Sequence, residues 1–216
     1  MRTSVDVKTE ILRDHDRIAQ GIREGLEARG VAMFNIIGPP GSGKTTFLEA
    51  LLGRLAAIPS LVIEGDVEGD IDARRLEARG IAALQINTHG GCHLDALMVR
   101  GALEKVPPGV RAVFVENVGN LICPAEWFLG ETARILLVSV AEGSDKPYKY
   151  PLAFQTAGAI VVNKTDLAPH VDFDRDFFLK GATGCSRDAA VFFVSARTGE
   201  GMEEVAGWVR ARAVRA

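Results

Sequence analysis

No stretch of this 216-residue sequence approaches the roughly 18 uninterrupted apolar residues that a helix needs to cross a bilayer, so no membrane partner is expected. Cysteine is scarce. Cys92, Cys123 and Cys185 form an odd, sparse set that argues against a disulfide framework. The opening MRTSVDVKTE lacks the basic patch and apolar run of a secretory leader, so a reducing, cytoplasmic setting is expected. Basic charge is not in excess either: 25 Lys and Arg face 28 Asp and Glu, a net charge of -3. That balance gives no reason to expect a nucleic-acid partner, and Arg210, Arg212 and Arg215 read as a solvated helix end. Repeats, low-complexity tracts and linkers are missing too. What is present is a 47% apolar chain, enough for one buried core.

The first segment, from about Val5 to Ala28, is rich in charge but carries Ile11, Ile18, Ile22 and Leu26 on one helical stripe, and Gly30 ends the pattern. The expectation is an amphipathic helix over residues 1–30, packed on the outside of a main domain at 31–216. From Val31 onward, short apolar runs alternate with helical patterns. The runs are Ala32–Ile37, Leu61–Ile63, Ile81–Ile86, Ala112–Val115, Ile135–Val140, Ala159–Val162 and Val191–Val194. Apolar on both pleat faces, they predict central strands covered by helices on either side. The predicted helices lie at Thr45–Leu55, Asp70–Arg79, His93–Leu103 and Gly201–Arg212. The fold class is α/β, with a mostly parallel sheet of the P-loop NTPase kind.

Gly38 to Thr45 (GPPGSGKT) matches G-x-x-x-x-G-K-[ST] at every fixed position, after a predicted strand and before a predicted helix. Gly38, Gly41, Ser42 and Gly43 let backbone N–H groups turn onto phosphate oxygens at a helix N-terminus. Lys44 then spans the β- and γ-phosphates, and Thr45, followed by Thr46, places a hydroxyl on Mg²⁺. Magnesium needs further oxygen ligands. Asp66 and Asp70, in GDVEGD, are candidates for a first switch; capping the following helix is the alternative for both, for Asp70 above all. Glu116 opens Glu116-Asn117-Val118-Gly119, similar to the D-x-x-G of many GTPases, with Gly119 offering its N–H to the γ-phosphate.

Asn163-Lys164-Thr165-Asp166 matches N-K-x-D behind a strand. A carboxylate at Asp166 accepts from guanine N1–H and the 2-amino group, donors that adenine does not offer, so GTP and GDP are the expected nucleotides. Lys164 lies along the base, and Asn163 ties this loop to the phosphate loop. Ser195-Ala196-Arg197 resembles the S-A-K loop whose backbone meets the guanine oxygen.

Cys92 and His93 lie in the glycine-rich THGGCHLDA, and Cys123 lies seven residues beyond Glu116. Thiolate and imidazole suit Zn²⁺ or Ni²⁺. Small buried residues or helix caps are the alternative, and chemistry alone leaves the two even. Cys185, with no partner nearby in sequence, reads as structural.

The stretches GPPGSGKTT, QINTHGGCHLDALMV, VFVENVGNLICPAEWFLGE, LLVSVAEGSDKPYKYPLAF, VNKTDLAP and SARTGEGMEE run in order over residues 31–210. This sequence resembles the HypB family, GTPases that help deliver nickel to hydrogenase during its maturation. The resemblance implies a slow GTPase and a metal site of Cys92, His93 and Cys123 shared between two subunits. It also implies a GTP-promoted homodimer, a nickel-chaperone partner and a hydrogenase large-subunit precursor as target. Lys146 or Lys149 would reach the partner's nucleotide, with solvated lysines the alternative. The chain departs from many members in having no cysteine before Cys92 and only His15 before His89, which implies no nickel store and no tight N-terminal site. His89 stays open as a ligand or a plain loop residue. Three other readings compete: a urease-maturation GTPase, a metal-storage or sensing protein for which nucleotide is a conformational ligand, and a metal-free regulatory GTPase.

Overall fold

The computed structural model describes residues 7–214, with side chains of the first helix from residue 13 onward. Val5, Arg215 and the side chain of Ile11 lie outside the described residues. Seven strands, β1 (Ala32–Ile37), β2 (Ser60–Asp66), β3 (Ala83–Asn87), β4 (Ala112–Glu116), β5 (Ala133–Ser139), β6 (Ala159–Asn163) and β7 (Ala190–Phe193), form one sheet. Every pairing is parallel, in the order β3-β2-β4-β1-β5-β6-β7. Because β1 sits centrally and the chain leaves it for β2, two strands away, a crevice opens beyond the carboxyl ends of β1 and β4.

Strand residues alternate between the two faces of the sheet, one covered by a single core and the other by two. Phe34 and Ile36 face α2 (Lys44–Arg54) and α9 (Met202–Ala213), where Phe47, Leu48, Leu51, Val205 and Val209 are buried with Phe114. Phe34 and Phe114 stack with centroids 5.2 Å apart. Met33 faces α1 (Val7–Ala28) and α4 (Ala96–Leu103), and Ile37 faces α5 (Cys123–Glu126) and α7 (Pro151–Gln155). Covering both faces is what makes the inner strands continuously apolar. The outer strands β3 and β7 are only half-buried, as one side of each lacks a neighbour.

Helix α1 buries Ala19, Ile22 and Leu26 against α4, β1 and β4, with Ile18 half-buried beside them. Several elements depart from the sequence reading, two of them for reasons visible in the structure. The fourth helix begins at Ala96 rather than His93, because Asp95 adopts extended backbone and its carboxylate accepts from Met98 N at 2.8 Å. His93 therefore belongs to the loop. Helix α8 (Arg175–Cys185) was not legible in sequence; it buries only Phe178, Gly181 and Ala182, too small a stripe to stand out. The remaining helices, α3 (Ile71–Glu77) and α6 (Lys146–Lys149), are short.

Candidate functional site

The loop Gly38–Gly43 joins β1 to α2 below the crevice. Two close approaches require glycine. A Cβ on Gly38 would stand 2.2 Å from Leu137 O, and one on Gly43, whose φ is +94°, would stand 2.8 Å from Asn163 Nδ2. Lys44 turns its ammonium back over the loop, 3.5 Å from Gly38 O. The adjoining cleft, about 430 Å³, is lined by Lys44, Thr45, Thr46, Glu64, Asp66, Asp72, Arg75, Glu116 and Gly119.

Its floor is acidic. Thr45 Oγ1 donates to Glu116 Oε1 at 3.0 Å. Glu64 and Glu116 are adjacent in the β2–β4 register, and both are buried. Burial pushes both carboxyls above their ordinary range, Glu64 furthest, and the neighbouring carboxylate raises Glu64 further. One oxygen of each, Oε2, is buried with no hydrogen-bond partner among the described residues. Orphaned carboxylate oxygens beside a threonine hydroxyl form an all-oxygen donor set that fits a hard divalent cation such as Mg²⁺. Asp66 lines the cleft, although its Oδ1 accepts from Val67 N at 2.6 Å. Asp70 stands apart, paired with Arg74 at 2.6 Å. Glu64 and Asp72 were missed in sequence. An acid directly after the apolar run Leu61-Val62-Ile63 was the available signal for Glu64.

On the other side of the phosphate loop, a pocket of about 280 Å³ is lined by Gly43, Thr46, Asn163, Lys164, Asp166, Leu167, Ala196 and Arg197. Asn163 ties its walls together: Nδ2 donates to Ser42 O at 2.9 Å, and Oδ1 accepts from Ala196 N at 3.0 Å. Lys164, with φ +62°, extends along the pocket to Gly41 O at 2.5 Å. Asp166 Oδ1 accepts from Ser195 Oγ at 2.7 Å, which fixes the carboxylate plane.

A second cluster gathers beside the cleft. One ligand atom from each of Cys92, His93 and Cys123 lies within 4.8 Å of the others, and Cys92 Sγ is 3.6 Å from His93 Nδ1. A shared hydrogen bond with Cys92 raises the Cys123 thiol, and burial of the His93 ring lowers its basicity. Two soft sulfurs and an imidazole suit Ni²⁺ or Zn²⁺, and three protein donors leave room for another. His89 is exposed and outside the cluster; Cys185, half-buried, is outside it too and donates to Pro147 O at 3.5 Å. Lys149 pairs with Asp145 at 2.5 Å, and Lys146 Nζ lies 5.6 Å from the Tyr150 ring centroid.

Cleft and cluster are joined by two asparagines that sequence reasoning passed over. Asn117, 1% exposed, accepts at Oδ1 from Leu94 N and Val118 N, both at 3.0 Å, and donates to Asn35 Oδ1 at 3.3 Å. Asn120 bridges to Gly38 through the backbone, donates to Cys92 O at 3.5 Å and accepts from Ile122 N at 2.9 Å.

A model of the family described as "CobW/HypB/UreG, nucleotide-binding domain" matches residues 32–192. The hydrogenase maturation factor HypB of Azotobacter chroococcum mcd 1 is 46% identical over 210 residues, covering 95% of this chain and 68% of its own. The crystal structure of HypB from Helicobacter pylori in complex with nickel aligns with a TM-score of 0.88 at 32% identity, over 93% of this chain and 95% of that one. HypB from Archaeoglobus fulgidus aligns at 0.87 and 36% identity, over 94% of this chain and all of its own.

Proposed function

Because the chain belongs to the HypB family of hydrogenase maturation factors, we propose that it hydrolyses GTP to GDP and phosphate and uses that change to hold and release nickel for hydrogenase. The observation that carries this reading is the segment from Glu116 to Cys123, which begins as a wall of the phosphate cleft and ends as a metal ligand. Asn117 and Asn120 lash that segment to the Cys92 loop. A shift of Gly119 toward a γ-phosphate therefore reaches both thiols.

In this reading Gly38, Gly41, Ser42 and Gly43 cradle the phosphates through backbone N–H groups, Lys44 spans the β- and γ-phosphates, and Asp166 selects guanine. Thr45, Glu116 and Glu64, with Asp66 or Asp72, hold Mg²⁺, which neutralises charge developing on the phosphates. Among the described residues no glutamine lines the cleft, so turnover rests on positioning and charge and is slow. Cys92, His93 and Cys123 hold nickel as cargo, and Zn²⁺ competes for the same donors. GTP draws two copies together, with Lys146 or Lys149 exchanging Asp145 or Tyr150 for the partner's nucleotide. A nickel chaperone supplies the ion in the cytoplasm, and the precursor of the hydrogenase large subunit receives it.

The test is multiple-turnover GTP hydrolysis followed by phosphate release. Wild type should turn over slowly and Lys44→Ala should not. Nucleotide binding without any turnover in wild type would favour a nucleotide-responsive metal store or sensor instead.

A further inference from the structure

Behind the three metal-site side chains lies a stack of rings that nucleotide and metal chemistry leave unused. Trp127 follows α5 directly, and its indole lies against the His93 imidazole, with centroids 5.0 Å apart and planes only 17° from parallel. The same indole meets His15 of α1 edge-on, at 4.5 Å and 77°. His15 Nε2 in turn accepts a hydrogen bond from Ala96 N at 3.0 Å, at the start of α4. Trp127 thus fills the space between the metal loop and the first helix.

His93 is fixed on both sides of its Cα. Cys92 O accepts from Asn120, and Leu94 N donates to Asn117. The ring keeps two free side-chain torsions, and the indole face restricts both. The backbone that carries the indole is itself firmly mounted. Trp127 O accepts from Arg134 Nη2 at 2.8 Å, and Arg134 is buried and paired with Glu131 at 2.8 Å. A ligand that is held before the ion arrives loses less freedom on binding it, and outer-sphere contacts to a ligating histidine commonly set its orientation.

We propose that Trp127 is a positioning residue for the metal ligand His93, holding the imidazole so that a ring nitrogen faces Cys92 and Cys123. This inference rests on the reading of those three residues as the nickel site. It carries a spectroscopic consequence. Open-shell Ni²⁺ bound to an imidazole stacked on an indole should quench that indole's emission, whereas closed-shell Zn²⁺ should quench it far less. The chain has two tryptophans, and Trp208 lies elsewhere, against Phe34 and Phe192.

The experiment uses the full chain with two readouts, Ni²⁺ affinity by competition with a chromophoric chelator and indole emission in a Trp208→Phe background. Trp127→Ala should weaken Ni²⁺ by roughly tenfold, about 1.4 kcal/mol, while leaving GDP affinity unchanged. Trp127→Phe, which keeps a stackable ring, should restore most of that loss. In Trp208→Phe, quenching should follow Ni²⁺ uptake with the same midpoint. Wild-type Ni²⁺ affinity in Trp127→Ala, equal losses in the Ala and Phe variants, or Ni²⁺ uptake without quenching would each overturn the inference while leaving the metal site standing. Failure of the wild type to take up Ni²⁺ would overturn the metal reading, and this inference with it.

Discussion

Replacing Asp166 by asparagine tests nucleotide choice with a built-in control on geometry. Ser195 Oγ donates to Asp166 Oδ1 at 2.7 Å, and the same hydroxyl oxygen accepts from Thr198 N at 3.2 Å. Keeping the Ser195 hydrogen bond in Asp166→Asn places the amide oxygen at the Oδ1 position and turns the NH₂ to the base. Guanine there presents N1–H and a 2-amino group, donor against donor. Hydrogen bonds to a charged acceptor contribute roughly 1.5–3 kcal/mol each, so losing two at the lower end removes about 3 kcal/mol, on the order of a hundredfold in affinity. Xanthine has a carbonyl at position 2, which accepts from the new amide. Competition binding of GDP, XDP and ADP to both proteins should show GDP weakened about a hundredfold, XDP strengthened and ADP poor throughout. Unchanged GDP affinity in the variant, or comparable GDP and ADP affinities in wild type, would refute the guanine assignment.

Further expectations concern the metal site, its link to the cleft and the first helix. Cys92→Ala and Cys123→Ala should each weaken Ni²⁺ by more than the roughly 10–100-fold typical of outer-sphere changes, while Cys185→Ala should stay near wild type in the same titration. Asn117→Leu leaves Leu94 N and Val118 N without an acceptor, at about 1–3 kcal/mol each, and a 150–250-residue domain loses about 2–4 °C of Tm per kcal/mol. Calorimetry should show that drop, and Ni²⁺ titration should show a smaller difference between nucleotide states; wild-type values in both would count against the link. Burial lowers the pKa of His15 against the raising effect of Asp95, Asp16 and Glu131. As pH falls through the ordinary value of 6.5, the unfolded chain takes up this proton first, so stability present at neutral pH is lost toward acid. Urea midpoints should fall less with acid in His15→Gln than in wild type, and parallel curves would contradict this.

What sequence could show followed from how local each constraint is. The phosphate loop and Asn163–Asp166 are contiguous, and each owes its geometry to one strand end, so both were readable in order. The strands were readable because coverage on two faces leaves an uninterrupted apolar run. Cys92, His93 and Cys123 were legible as candidates, but their convergence depends on the loops that follow β3 and β4 meeting across the end of β2, with the turn at Asn120 beside them. Glu64 was hidden by its own strand: one acid at the end of an apolar run draws little notice until the β2–β4 register places it beside Glu116. Asp72 lies six residues from Asp66 and comes back to the cleft only because α3 folds over it. Trp127 and His15 are more than a hundred residues apart and meet across two elements, and no local pattern encodes that. The helix at Arg175–Cys185 escaped because its buried face is made largely of glycine and alanine.

On the proposed reading, the nucleotide and metal sites form one device. Titration of Ni²⁺ into wild-type protein loaded with GDP or with a slowly hydrolysed GTP analogue, with assembly followed by sedimentation, tests it most directly. Two different Ni²⁺ affinities and a dimer favoured by the GTP analogue are expected. A tenfold difference corresponds to about 1.4 kcal/mol of coupling. Linkage then requires Ni²⁺ to change the ratio of the two nucleotide affinities by the same factor. Identical Ni²⁺ affinity and identical assembly in both nucleotide states would contradict it.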